Sequence, residues 1–150
     1  MMGRTLEGTI FEIVFLVLAL ALWGYVVWLI RQAPDVVPTH FDAAGRPNGW
    51  GSPTSVIFPS LMMTVVGACL LATAYFPKSI NLPVAIENPR QILLAMRMVR
   101  ILALLVLLLA LAIALTILTA IASKWLFVCL VVGIMGAVCI GFSILIYRAG

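Results

Sequence analysis

The residues with the widest chemical range fall in one stretch, residues 31–54. It contains the chain's only histidine, His40, with Asp35, Asp42, Arg46 and Asn48 close by. An imidazole can donate or accept a hydrogen bond, change charge near neutral pH, or bind a metal. His40 therefore has two readings: a contact to a ligand on an outer face, whether by hydrogen bond, charge change or metal, or a structural ring that ties the loop together. A zinc site from this chain alone is not expected, because catalytic zinc needs three protein ligands and no second His or Cys lies near. Glu12 is the other candidate, the sole acidic residue inside an apolar run. Intramembrane carboxylates are functional candidates by default, and small proton-coupled exporters with four spans use one in their first helix. Glu12 is also only about one turn inside its run. There it could meet water and pair with Arg4 or a basic residue of the second loop. No second histidine, glycine-rich phosphate loop, nucleophile elbow or paired intramembrane carboxylates accompany these residues, so neither an enzyme nor a cofactor is expected.

The elements that must position these groups follow from composition. The 150 residues are 65% hydrophobic and 9% charged, with a mean hydropathy of +1.24. A soluble domain carries about 25% charged residues. So few charges cannot cover so much apolar surface in water. A soluble enzyme, a disordered tail and a nucleic-acid module are excluded, and the net charge of +4 is read as topology and anionic-lipid contact. Four apolar runs, at about residues 10–30, 55–76, 101–122 and 125–147, each reach the ~20 residues needed to cross a bilayer. Hydrocarbon leaves backbone groups no partner but the segment itself, so each run is expected to be a helix. Strand-like alternation is absent, which excludes a transmembrane barrel. The expected fold is all-α: one membrane domain, a four-helix bundle with an ordered extracytoplasmic loop at 31–54 and a cytoplasmic loop at 77–100. The first run is too long for a signal-peptide core and reads as an anchor.

Basic residues give the orientation. Arg4, Lys78, Arg90, Arg97, Arg100 and Arg148 flank one side, against Arg31, Arg46 and Lys124 on the other, which puts both termini in the cytoplasm. Trp28, Trp50 and Trp125 then fall near the outer face, Tyr75 and Tyr147 near the inner one. Asn88 is a good N-cap and Pro89 suits the first helical position, so the third helix should begin before the membrane. Arg90, Arg97 and Arg100 share neighbouring parts of its surface, as a headgroup-contacting stripe or a docking surface for a cytoplasmic partner. Ser123 and Lys124 leave room only for a tight connection between the last two helices. Cys129, Gly133, Ala137 and Gly141 recur every four residues on the fourth helix, a small-residue face suited to packing inside the bundle or to a homo-oligomer seam. Ala110 and Ala114, and Ala68 and Ala72, are weaker versions. Cys69, Cys129 and Cys139 lack metal or disulfide spacing and read as buried small apolar residues.

Within the loop, Pro38 and its β-branched neighbours favour an extended Val36–Phe41. Asp42 through Gly45 fits a type I turn, and Asn48-Gly49 suggests a second tight turn. The run Val37-Pro38-Thr39-His40-Phe41-Asp42-x-x-Gly45-x-Pro47-Asn48-Gly49-Trp50-Gly51-Ser52, just after a first apolar helix, resembles the signature of the SdpI-like family of bacterial membrane proteins. Named members of that family are immunity proteins against secreted peptide toxins, some of them signalling to a cytoplasmic repressor. The resemblance implies an outward-facing loop in a bacterial cytoplasmic (inner) membrane. It makes His40, Phe41, Asp42, Gly45, Arg46, Asn48, Gly49 and Trp50 the candidate ligand-binding set. The expected partners are the lipid bilayer, a secreted peptide or other extracytoplasmic ligand, a cytoplasmic protein, and a second copy of the chain, with no nucleic acid. Proton-coupled transport through Glu12 and a structural place in a larger membrane complex are the alternatives.

Overall fold

A computed structural model describes residues 5–77, 80, 82, 86–119 and 125–150. The element order is α1 (Leu6–Gln32), β1 (Val37–Phe41), β2 (Pro47–Gly51), a short 3-10 turn (Pro53–Val56), α2 (Ile57–Thr73), α3 (Pro89–Thr119) and α4 (Trp125–Arg148). Among the described residues, four helical stretches are long and apolar enough to cross a membrane. The all-α membrane bundle expected from composition is what the chain forms, with one small two-stranded sheet added. Arg4, Lys78 and the Ser123–Lys124 connection lie outside the described residues.

The helix ends follow local chemistry. Thr5 caps α1 by accepting the Gly8 N–H at 3.1 Å, and Pro34 beyond the C-cap Ala33 discourages continuation. Asn88 caps α3 as expected: its Oδ1 accepts the Gln91 N–H at 3.0 Å, while Gln91 Oε1 accepts the Asn88 N–H at 3.1 Å. That reciprocal pair is a capping box with Asn and Gln in its two positions. At 1.5 Å per residue α3 is roughly 46 Å long, more than the hydrocarbon needs, and the surplus carries the arginines.

α3 is the central post. Of its most apolar window 56% is buried, against 28%, 17% and 11% for the other three helices, so the others arrange around it. On α1 the buried positions are Phe15, Ala19, Leu22, Val26 and Leu29. On α3 the matching buried set is Ala103, Leu107, Ala110, Ala114 and Ile117, in the same cluster. Both sets step by fours and threes, the cadence of knobs-into-holes packing between near-parallel helices. α2 approaches through Gly67, where an added Cβ would stand 2.7 Å from Phe15 Cε2 and 3.2 Å from the Ala103 carbonyl oxygen.

The small residues of α4 do not take part in this. Gly133, Ala137 and Gly141 are exposed, and a Cβ at Gly133 or Gly141 would meet nothing within 4 Å. Packing inside the bundle is therefore not their role; α3 supplies the close-approach alanines, including the Ala110 and Ala114 of the weaker pattern. Ala68 and Ala72 face outward, as do Cys69, Cys129 and Cys139, which corrects the reading of the cysteines as buried.

Candidate functional site

The stretch after α1 folds as a hairpin seated on one end of the bundle. β1 and β2 are antiparallel, pairing Val37 with Gly51, Pro38 with Trp50, His40 with Gly49 and Phe41 with Pro47. The register skips one residue on each strand, leaving Thr39 and Asn48 as bulged positions. Bulges re-aim side chains, and here His40 Nδ1 and Asn48 Oδ1 stand 2.5 Å apart. An amide oxygen can only accept, so the ring nitrogen donates.

The turn at 42–45 forms as expected. Asp42 O accepts the Gly45 N–H at 2.9 Å, and Asp42 N–H reaches Arg46 O at 2.9 Å. Asp42 Oδ1 also takes the Ala44 and Arg46 amides at 2.9 and 2.8 Å, so this carboxylate holds the loop itself. Gly45 has φ +75°, a left-handed conformation suited to glycine. Asn48-Gly49, by contrast, is not a second turn. The chain has already reversed at Asp42–Arg46, and both residues belong to the return strand. A Cβ at Gly49 would stand 2.9 Å from His40 Cβ, so glycine there serves strand approach rather than a turn.

Two contacts dock the hairpin on α4. The Phe41 and Trp125 rings stack with centroids 6.0 Å apart and planes 21° from parallel. A Cβ on Gly45 would come within 2.6 Å of Trp125 Cδ1. Val37, at the base of β1, is fully buried in the α1–α3 core. Between hairpin and helices lies a cleft of about 290 Å³, walled by Thr39, His40 and Phe41 of β1, by Ile113, Thr116 and Ile117 of α3, and by Trp125 and Val128 of α4. Of the sequence-derived set, His40 and Phe41 line it. Asp42, Gly45, Asn48 and Gly49 shape it, while Arg46 is exposed and Trp50 is 61% exposed on the outer surface of the hairpin. The α3 and α4 walls escaped sequence reasoning because no local pattern says which side chains a loop will settle on.

The opposite end holds a polar cluster. Arg97 makes a two-pronged pair with Glu7, Nε to Oε1 and Nη2 to Oε2, both at 3.0 Å. Arg100 Nη1 lies 3.8 Å from the same carboxylate. Arg100 is only 4% exposed, seated over Gly8, where a Cβ would be 2.7 Å from its Nη2. Of the proposed headgroup or docking stripe only Arg100 is displaced, being interior; Arg90 and Arg97 stay exposed, Arg97 with its guanidinium paired to Glu7. Tyr75 donates its hydroxyl to Glu12, so that carboxylate bonds across to the end of α2. Buried Gln91 donates to Ile146 O at 3.0 Å, and Asn88 Nδ2 to Ala149 O at 2.7 Å, fastening the start of α3 to the end of α4.

These features define a multi-pass membrane protein with a structured hairpin cap at one end. Residues 17–64, which take in most of α1, the hairpin and the first turns of α2, match a family described as a domain of unknown function, DUF1648. An uncharacterized protein of Archaeoglobus fulgidus is 31% identical over 75 residues, covering 45% of this chain and 41% of that protein. The chain thus spans less than half the length of that curated relative. No solved structure matches.

Proposed function

We propose that this chain is a non-catalytic recognition protein of a bacterial cytoplasmic membrane. Its hairpin faces the exterior, and the cleft beneath it binds an apolar extracytoplasmic ligand. The termini are then cytoplasmic, in agreement with the excess of basic residues at the end opposite the hairpin. The observation that carries this reading is the seating of the hairpin on Trp125, which leaves His40 on the wall of a formed, mostly apolar cleft. Such clefts with a few polar groups are the usual form of ligand sites. The resemblance of residues 37–52 to the SdpI-like signature supports a protective role against a secreted peptide. A relay to a cytoplasmic partner would fall to Arg90 and Arg97, since Arg100 is buried. Transport through Glu12 has less support: its carboxylate takes the Tyr75 hydroxyl, which ties the second turn of α1 to the residues just past α2.

The test is a deletion strain challenged with spent medium from organisms of its own community. Loss of the gene should give sensitivity to a secreted peptide. Wild-type protein should restore resistance, and Val128→Trp, which fills the cleft, should not. Unchanged sensitivity on deletion, or full rescue by the filled variant, would contradict the proposal.

A further inference from the structure

We infer that the hairpin cleft takes an aromatic group bearing a hydrogen-bond donor, an indole or a phenol, as displayed by Trp or Tyr of an apolar peptide. This rests on the reading of the hairpin as a recognition element and adds what is recognised. Size is the first argument. A volume of about 290 Å³ sits at the low end of the ~300–1,000 Å³ range of ligand sites. It suits one large side chain and falls well short of a two-chain lipid.

The walls are the second argument. Phe41 and Trp125 form a stacked pair, and aromatic groups prefer offset or edge-on contact with such rings. Ile113, Ile117 and Val128 close the remainder with aliphatic surface.

The polar atoms share one sense. Asn48 Oδ1 selects the tautomer with the His40 proton on Nδ1, and in that tautomer Nε2 is an acceptor. Thr116 donates its hydroxyl proton to Ala112 O at 2.8 Å, so its oxygen too offers only lone pairs. Thr39 can serve either way. The Trp125 N–H adjoins Cδ1, the edge covered by Gly45. His40 and Thr116 both line the cleft, so the polar groups it can offer a ligand are acceptors among apolar neighbours, and a flat apolar group with one N–H or O–H answers both features.

The experiment uses the full chain in lipid nanodiscs, with 5-fluoroindole and its N-methyl analogue as probes followed by fluorine NMR against empty nanodiscs. The expected result is saturable binding of 5-fluoroindole, at least about fivefold tighter than the N-methyl compound, in keeping with one neutral hydrogen bond. That preference should vanish in Thr116→Val with His40→Leu, while Val128→Trp should abolish binding of both probes. Circular dichroism and thermal melting confirm that each variant folds. Equal binding of the two probes, both blocked by Val128→Trp, would overturn donor recognition and leave the cleft as an apolar site. No saturable binding, or binding indifferent to Val128→Trp, would overturn the cleft reading as well.

Discussion

At the scale of single residues, the hairpin owes its shape to a few side chains with unambiguous jobs. The resemblance to the SdpI-like signature makes Asp42 a candidate ligand contact. Its Oδ1 instead answers two backbone amides, the ordinary task of Asp in a turn. Asp42→Ala should lower stability by about 1–2 kcal/mol, and Asp42→Asn, which keeps the acceptor, by much less. Thermal melts of the purified protein would show the difference. Gly45 is held by two constraints, a positive φ and contact with Trp125. Gly45→Ala should cost about 1–3 kcal/mol and shift the tryptophan emission as Phe41 and Trp125 separate. An unshifted spectrum with an unchanged melting temperature would show that the hairpin is not docked through this contact.

At the scale of elements, the parts that depend on nearest neighbours were legible in the sequence. The four spans announce themselves through apolar length, the start of α3 through Asn88-Pro89, and the turn through Asp42 and Gly45. What was not legible depends on partners far along the chain. Asn48-Gly49 carries a strong turn signal, but a reversal completed two residues earlier leaves it to the strand. The arginine periodicity showed that Arg97 and Arg100 are neighbours, yet only the packing of α1 shows that Gly8 makes room for one and Glu7 captures the other. A single glutamine makes no pattern in a sequence, yet Gln91 is the buried link between the start of α3 and the end of α4. Gln91→Leu removes its bonds to the Glu87 and Asn88 amides and to Ile146 O. The expected loss is about 2–4 kcal/mol, with faster hydrogen exchange confined to the amides near residues 87–91 and 146–150.

At the scale of the whole molecule, one buried helix carries the other three, and the polar groups gather at its two ends. The hairpin and cleft occupy one end, the Glu7–Arg97–Arg100 cluster and the Gln91 link the other. Small residues act differently according to which surface they occupy. Gly67→Ala would press on Phe15 and the Ala103 carbonyl and should destabilise by about 1–3 kcal/mol. Gly133→Ala, on open surface, should leave the melting temperature unchanged or raise it slightly, since alanine favours a helix by up to ~1 kcal/mol. Matching losses in the two variants would mean that the outer face of α4 is packed in the folded protein.

Recognition of an external ligand requires the hairpin to lie outside the membrane. The direct measurement replaces Cys69, Cys129 and Cys139 with alanine and places single cysteines at Val36, which is 58% exposed, or at Arg148. Intact cells are then treated with a membrane-impermeant maleimide. Labelling of Val36→Cys in intact cells, with Arg148→Cys labelled only after permeabilisation, is the predicted result. The reverse pattern would put the cleft in the cytosol and contradict recognition of an external ligand.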